Sequence, residues 1–292
     1  MKYTANDIAT ILELPPTRVS SIVLEYLLTD SRRLVFAPQT LFFALPGPRR
    51  DGHEFIESLY DQGVRCFVVN KQMDLLKWKT YCSGAVFFEV PNCLTALQKI
   101  AAHHRSHFNI PVIGITGSNG KTTTTSLIYQ ICKTGGFNCA LVGNIGNSIA
   151  RQITIDPRPL YVVEISSFQL DDIISFRPDV AVLTNITEDH LDRYEHDFEK
   201  YIAAKFKIVK NQTEQDFFIY NADDPVTMKY IDQYPFHSKP LPISMQREMP
   251  KGAYIKDNEM HVKQAEPFKM SIFDFALKGK HNQYNTMAAA VA

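Results

Sequence analysis

The 292-residue sequence has no apolar run near the roughly 20 residues that a membrane-spanning helix needs, which argues against a helical membrane protein. Its opening stretch, MKYTANDIATILEL, is polar and amphipathic, without the apolar region and cleavage site of a signal peptide. It has no CxxC pair. Five cysteines are scattered at 66, 82, 93, 132 and 139, which excludes a zinc ribbon or disulfide framework and predicts reduced thiols in a cytoplasmic protein. Neither charge sign is in excess, with 31 Lys and Arg against 31 Asp and Glu. No whole-chain basic field would therefore draw it to nucleic acid. Internal repeats and low-complexity tracts are missing too. What is present is an ordinary globular composition, 45% hydrophobic and 21% charged, with a length that suits two domains or one large one.

Apolar patterning divides the chain. Residues 5–13 have helical spacing and end at a Pro pair. TLFFAL (40–45), RCFVVN (65–70) and AVFFEV (85–90) read as buried strands, and EFIESLYDQG (54–63) as a helix closed by Gly63. LTALQKIAAHHRSHF (94–108) is an amphipathic helix, broken by Asn109-Ile110-Pro111. The break predicts domains over 1–108 and 109–292. Beyond it, VIGIT (112–116), NCALVG (138–143), LYVVEI (160–165), DVAVLTN (179–185) and FFIYN (217–221) are strands alternating with helical or loop segments. The segment 240–276 is less regular, with room for short antiparallel strands. The expected fold is α/β: a small mixed N-terminal domain, then a mostly parallel sheet of the phosphate-loop type with helices on both faces.

The strongest chemical signal follows VIGIT: Thr116-Gly117-Ser118-Asn119-Gly120-Lys121-Thr122. Glycines let successive N–H groups converge on phosphate oxygens, and the helix start adds partial positive charge. Lys121 would neutralise phosphate and Thr122 would ligate Mg²⁺. The strict spacing wants glycine where Ile115 stands, so this is a variant. A glycine-rich turn with an incidental lysine is the bland alternative, disfavoured by the strand before and the helix after. Glu164 ends another strand, where parallel sheets bind ligands. It could serve a metal or water, or pair with a neighbouring base. Asn185-Ile186-Thr187-Glu188-Asp189-His190 follows a third strand, and His190 could be a ligand or a surface histidine. Lys205, on a predicted helix, would ordinarily be a solvated lysine. Asn282 and Asn285 would ordinarily cap a helix.

Taken in order, TGSNGKTTTT, GNIG (143–146), VEISSFQLD (163–171), LTNITEDHLDRY (183–194), AAKFKI (203–208), YNADD (220–224) and GKHNQYN (279–285) resemble the central ATPase domain of the Mur ligases, the cytoplasmic enzymes that build the peptidoglycan stem peptide. Residues 109–292 resemble the D-glutamate-adding members. LLTDSRRLVFAPQTLFFALPGPRRDGHEFI, in residues 1–108, resembles the UDP-binding domain of the members that add D-alanyl-D-alanine or a diamino acid. The halves thus resemble different members, which implies a natural variant or a hybrid. Family members carry a third domain that holds the incoming amino acid, and this sequence stops within MAAAVA. The expectation is a two-domain fragment unable to complete catalysis alone.

The resemblance implies an ATP-dependent amide ligase that adds an amino acid or dipeptide to a UDP-N-acetylmuramoyl peptide through an acyl phosphate. Its catalytic residues would be Lys121, Glu164, His190 and Lys205. ATP would be bound by Gly117, Ser118, Asn119, Gly120, Lys121, Thr122 and Thr123, with Asn282 beside the adenine. Mg²⁺ would be held by Thr122, Glu164, His190 and a carbamylated Lys205. Ser31 and Arg32 would cradle the uridine diphosphate, and Asn144 and Ser166 would meet the sugar and peptide arm. A cytoplasmic monomer with no nucleic-acid or membrane partner is expected. The competing reading is a nucleotide- and UDP-sugar-binding module that is catalytically incomplete.

Overall fold

Runs such as Leu41-Phe42-Phe43-Ala44 send side chains to alternate sides, so a strand made of them needs cover on both faces. A computed structural model shows how that cover is supplied. It describes every residue except 1, 18–20, 48–49, 72–74 and 190, and every side chain of the rest except 154 and 155. The chain divides into two units, Met1–Asn109 and Ile110–Ala292.

The first unit runs β1 (Tyr3–Thr4), α1 (Ala5–Ile11), β2 (Val23–Leu24), β3 (Tyr26–Leu28), β4 (Thr40–Phe43), α2 (Ile56–Asp61), β5 (Cys66–Asn70), α3 (Leu76–Tyr81), β6 (Val86–Val90) and α4 (Cys93–Ser106). Strands β3-β4-β5-β6 form a parallel sheet in that order, and β1 pairs with β2. Leu41, Phe43, Cys66 and Val68 pack with Ile8 of α1 and Ile100 of α4. Phe42, Ala44, Phe67 and Val69 pack on the other face with Ile56 and Leu59 of α2. The sequence pattern does not signal α3. Its anchor is Trp78, stacked on the buried His53 with ring centroids 5.9 Å apart.

The second unit runs β7 (Val112–Thr116), α5 (Lys121–Thr134), β8 (Cys139–Gly143), α6 (Ile149–Ile155), β9 (Leu160–Glu164), α7 (Ser167–Asp171), β10 (Val180–Leu183), α8 (Phe198–Phe206), β11 (Phe217–Asn221), α9 (Pro225–Tyr230), β12 (Lys239–Ser244), β13 (Gly252–Lys256), β14 (Glu259–Lys263), β15 (Phe268–Ser271) and α10 (Lys280–Val291). One sheet takes the order β15-β14-β13-β12-β11-β10-β7-β9-β8. It is parallel from β8 to β13 and antiparallel from β13 to β15. Ile113 and Ile115 of β7 pack with Ile128 of α5 and Met287 of α10. Val163 and Leu183 face the other side with Leu170 of α7 and Ile202 of α8.

The irregular segment 240–276 resolves into one more parallel strand, β12, and the antiparallel β13–β15. Asp257 and Asn258 both have positive φ, 51° and 61°. A two-residue hairpin turn of that kind matches the strand twist and tolerates Asp and Asn. Among the described residues, no helix is long and apolar enough to cross a membrane.

Candidate functional site

Strand order brings the motifs together. β7 is the hinge of the sheet: β9 and β8 lie on one side of it and β10 on the other. In register, Ile115 stands opposite Glu164 and Thr116 opposite Leu183. The loop after β7, the acid ending β9 and the polar segment after β10 therefore share one crevice at the carboxyl ends of the strands, where a topological switch point places ligands.

The segment after β10 clamps the loop. Ser118 N–H donates to the Asn185 carbonyl at 2.9 Å, and Asn119 N–H to Asn185 Oδ1 at 2.9 Å. The Thr184 hydroxyl and Asn185 Nδ2 both donate to the Asn119 carbonyl, at 2.7 and 3.0 Å. Ser118 Oγ donates to the Thr187 carbonyl and accepts from Thr187 N–H, each at 2.9 Å. Gly120 turns the chain into α5 with φ of +80°. A methyl there would stand 2.4 Å from Asn285 Oδ1. The first amides of α5, at Lys121, Thr122 and Thr123, have no acceptor within the helix and carry its positive end. The loop is thus organised as an anion cradle.

Lys121 Nζ donates to the Ser118 carbonyl at 2.7 Å. Burial pushes its ammonium below the ordinary lysine range, against the pull of Glu164 and Asp189. Glu164 is 1% exposed and pairs with no base among its described hydrogen bonds. Its Oε2 accepts from the Thr122 hydroxyl at 2.9 Å and its Oε1 from Asn144 Nδ2 at 3.0 Å. Asn144 N–H also donates to the Glu164 carbonyl at 2.9 Å. A carboxylate and a hydroxyl side by side at a phosphate cradle suit Mg²⁺, which takes one or two protein oxygens and completes its shell with phosphate and water. Among the described residues, no group of three or more His, Cys, Asp and Glu side chains is placed to hold a metal.

Lys205 is not a solvated lysine. It is 1% exposed. Its Nζ donates to the Gly117 carbonyl at 2.7 Å and lies 4.4 Å above the Tyr201 ring. Burial, then the charge of Lys121, push it down to about 7, against Asp189. An amine that far down is largely uncharged in mildly alkaline water.

The other expected residues are placed as follows. Asn282 does turn chemistry at the head of α10. Its Nδ2 donates to the Lys278 carbonyl at 2.8 Å and its Oδ1 accepts from Asn285 Nδ2 at 3.2 Å. Asn285 reaches α5, accepting from the Thr124 hydroxyl at 3.2 Å, and the same oxygen stands against Gly120 of the loop. Ser166 caps α7 in a box with Gln169 and makes no described hydrogen bond to the Glu164 group. His190 lies outside the described residues. Ser31 and Arg32 lie in the first unit, in a tight turn Ser31–Arg33 capped by Asp30. Arg32 grips Asp30 through Nε and Nη2 at 2.9 and 2.8 Å, and this fork holds the Asp30 carboxyl down at about 2.

Three supporting residues have no role assigned from the sequence, Thr184, Thr187 and Tyr201, while Asn285, expected only to cap a helix, bonds to α5 instead. The first two lie inside LTNIT, whose hydroxyls carry a signal only once β10 is known to lie beside β7. Tyr201 stands one helical turn before Lys205, and its hydroxyl is 3.1 Å from Ser118 Oγ.

The Mur ligase middle domain family matches residues 115–292, and the Mur ligase family catalytic domain matches residues 27–108. The UDP-N-acetylmuramoylalanine–D-glutamate ligase of Christiangramia forsetii is 49% identical over 183 residues, covering 62% of this chain and 41% of that protein. The ligase of the same name from Bacteroides fragilis is 48% identical over 181 residues, with the same coverage. The chain therefore spans about two-fifths of the length of these relatives. Among solved structures, MurF of Acinetobacter baumannii superposes with a TM-score of 0.70 at 18% identity, over 100% of this chain and 64% of that one. A UDP-N-acetylmuramoyl-L-alanyl-D-glutamate–2,6-diaminopimelate ligase gives 0.71 at 20% identity, over 99% and 63%. MurF of Thermotoga maritima, solved with ADP, gives 0.64 at 20%, over 91% and 61%. Sequence relatives and structural neighbours thus bear the names of different ligases, while the middle-domain match by itself covers more than half of the residues: the chain belongs to the Mur ligase family.

Proposed function

We propose that the chain acts as an ATP-dependent amide ligase of peptidoglycan precursor synthesis, adding an amino acid or dipeptide to a UDP-N-acetylmuramoyl substrate. The observation that carries this reading is the clamped phosphate loop with the Thr122–Glu164 pair at its mouth, 2.9 Å apart, in a Mur ligase chain. A substrate carboxylate would attack the γ-phosphorus of ATP, releasing ADP and leaving an acyl phosphate. An amine would then attack the acyl carbon and expel phosphate. Such transfers need positioning and charge neutralisation more than covalent help.

In this reading Lys121 and the leading amides of α5 cradle the phosphates. Thr122 and Glu164, with His190, would hold Mg²⁺, and Lys205, if carbamylated, would bind a second Mg²⁺; the uncharged amine of Lys205 is the form that can take up CO₂. Bound there, Mg²⁺ would offset charge on the phosphate oxygens. Asn282 lies beside the adenine, Asn144 and Ser166 serve the sugar and peptide arm, and Ser31 and Arg32 serve the uridine diphosphate. The protein works in the cytoplasm as a monomer.

Calorimetry tests the nucleotide part. Lys121→Ala is expected to weaken ATP binding by about 1.5–3 kcal/mol, the scale of a charged hydrogen bond. Equal affinity in variant and parent would sink it. For the first unit, UDP is expected to protect the amides of residues 29–33 from hydrogen exchange; protection confined to 110–292 would remove that assignment.

One observation favours a narrower second reading: the chain spans 41% of the D-glutamate ligases it matches. We infer that these 292 residues, assayed alone, bind nucleotide but form amide at a negligible rate. Holding an amine in line is worth on the order of 7–11 kcal/mol of barrier. Steady ligation by the isolated chain would refute this second reading and leave the first.

A further inference from the structure

Helix α10 carries Asn285 to the phosphate loop, yet its N-cap is Gly279, which supplies no side-chain hydrogen bond. Its first turns are tied down elsewhere. The Tyr284 hydroxyl donates to Asp223 Oδ2 at 2.9 Å, just past the end of β11. That carboxylate is itself built in. Ser244 Oγ donates to Oδ1 at 2.7 Å, and Met245 N–H to Oδ2 at 2.6 Å. Both donors lie at the end of β12, so Asp223 is fixed by two neighbouring strands before Tyr284 reaches it. Burial, reinforced by the Asp223 carboxylate, pushes the Tyr284 hydroxyl above the ordinary tyrosine range, which keeps it a donor.

Tyr284 and Asn285 are consecutive, so their side chains leave α10 about 100° apart. One goes to the sheet and the other to α5. Asn285 Oδ1 accepts from the Thr124 hydroxyl and is the atom that a methyl on Gly120 would meet at 2.4 Å. Asn285 Nδ2 holds Asn282. Rotation of α10 about its axis would carry Asn285 away from the loop, and the bond from Tyr284 to Asp223 opposes that rotation. We propose that Tyr284 is a positioning residue for nucleotide binding: it locks the rotation of α10 so that Asn285 closes the back of the phosphate loop at Gly120. Tyr284 need touch no ligand. The proposal rests on the reading of that loop as the nucleotide site.

The test is ADP binding to the 292-residue chain, by calorimetry with Mg²⁺, beside thermal denaturation. Tyr284→Phe keeps the ring and removes the donor. It is expected to weaken ADP by about tenfold in the parent background and by less than about twofold when Asn285 is already alanine, because residues in one network are not additive. Asp223→Asn, which removes the acceptor's charge, should reproduce the loss. A purely structural role would lower the melting temperature and leave ADP affinity of the folded protein unchanged. ADP affinity in Tyr284→Phe within about twofold of parent, or an equal loss in both backgrounds, overturns the proposal. Failure of the unsubstituted chain to bind ADP overturns the nucleotide reading, and this proposal with it.

Discussion

Lys205 Nζ donates to the Gly117 carbonyl at 2.7 Å, tying α8 to the phosphate loop across 88 residues of sequence. The bond puts a buried amine beneath the loop, close enough to Lys121 for the two charges to repel. An anion arriving at the loop would favour the charged form of both amines.

That arrangement predicts a pH trend. Lys205 sits at about 7 in the fold against an ordinary 10.5. Between those values the unfolded chain binds more protons than the native one, so stability attributable to Lys205 rises with pH across that window. Below about 7 both states are protonated and the burial penalty is complete. Lys205→Met should therefore gain on the parent at about pH 6.5 and lose that advantage toward about pH 9.5, by an amount on the order of a few kcal/mol. Urea denaturation of both proteins at each pH measures it; a difference that does not change with pH would contradict the assignment.

Glu164 offers a second test. Glu164→Gln removes one negative charge and turns an N–H toward either Thr122 or Asn144. Added Mg²⁺ should tighten ADP binding to the parent, and this tightening should fall by about tenfold or more in the variant, since losing an outer partner of a ligand by itself costs 10–100-fold. ADP affinity measured with and without Mg²⁺ gives the answer. An undiminished Mg²⁺ effect would mean that Glu164 holds no metal.

Two glycines separate strain from contact. Gly120 and Gly136 have positive φ, +80° and +84°. At Gly136 a methyl would meet nothing within 4 Å, whereas at Gly120 it would meet Asn285 Oδ1 at 2.4 Å. Gly136→Ala should cost about 1–2 kcal/mol from backbone conformation. Gly120→Ala should cost more and also weaken ADP binding. Denaturation midpoints and calorimetry on both variants check this; equal stability losses with ADP affinity intact in both would show that Asn285 does not press on the loop.

Thiol chemistry checks the first unit's core. Burial pushes the Cys66 and Cys93 thiols up to about 12. Neither should react with a disulfide reagent in mildly alkaline buffer until the protein unfolds, because the thiolate is the nucleophile. The half-buried Cys132 and Cys139 should be labelled first. Mass spectrometry of peptides after timed labelling reads the order, and early labelling of Cys66 would place β5 outside the core.

The sequence by itself determined the local rules. Apolar runs such as Phe67-Val68-Val69 specify strands covered on both faces, and strand–helix alternation specifies a parallel sheet. A glycine-rich loop between VIGIT and a helix specifies an anion cradle, because backbone amides and a helix start suffice for it. The family was legible as well, since its motifs keep their order. Tertiary structure decided which strand ends are neighbours. Glu164 could have met a base; placing β9 beside β7 gave it Thr122 and Asn144 instead. Lys205 has the surroundings of a surface lysine in sequence, and only the packing of α8 beneath the loop buries it. Tyr284 has no local signal, because its partner Asp223 is 61 residues away. Local propensity cannot encode such pairs: each depends on the order in which parallel strands, joined by long crossovers, take their places in the sheet.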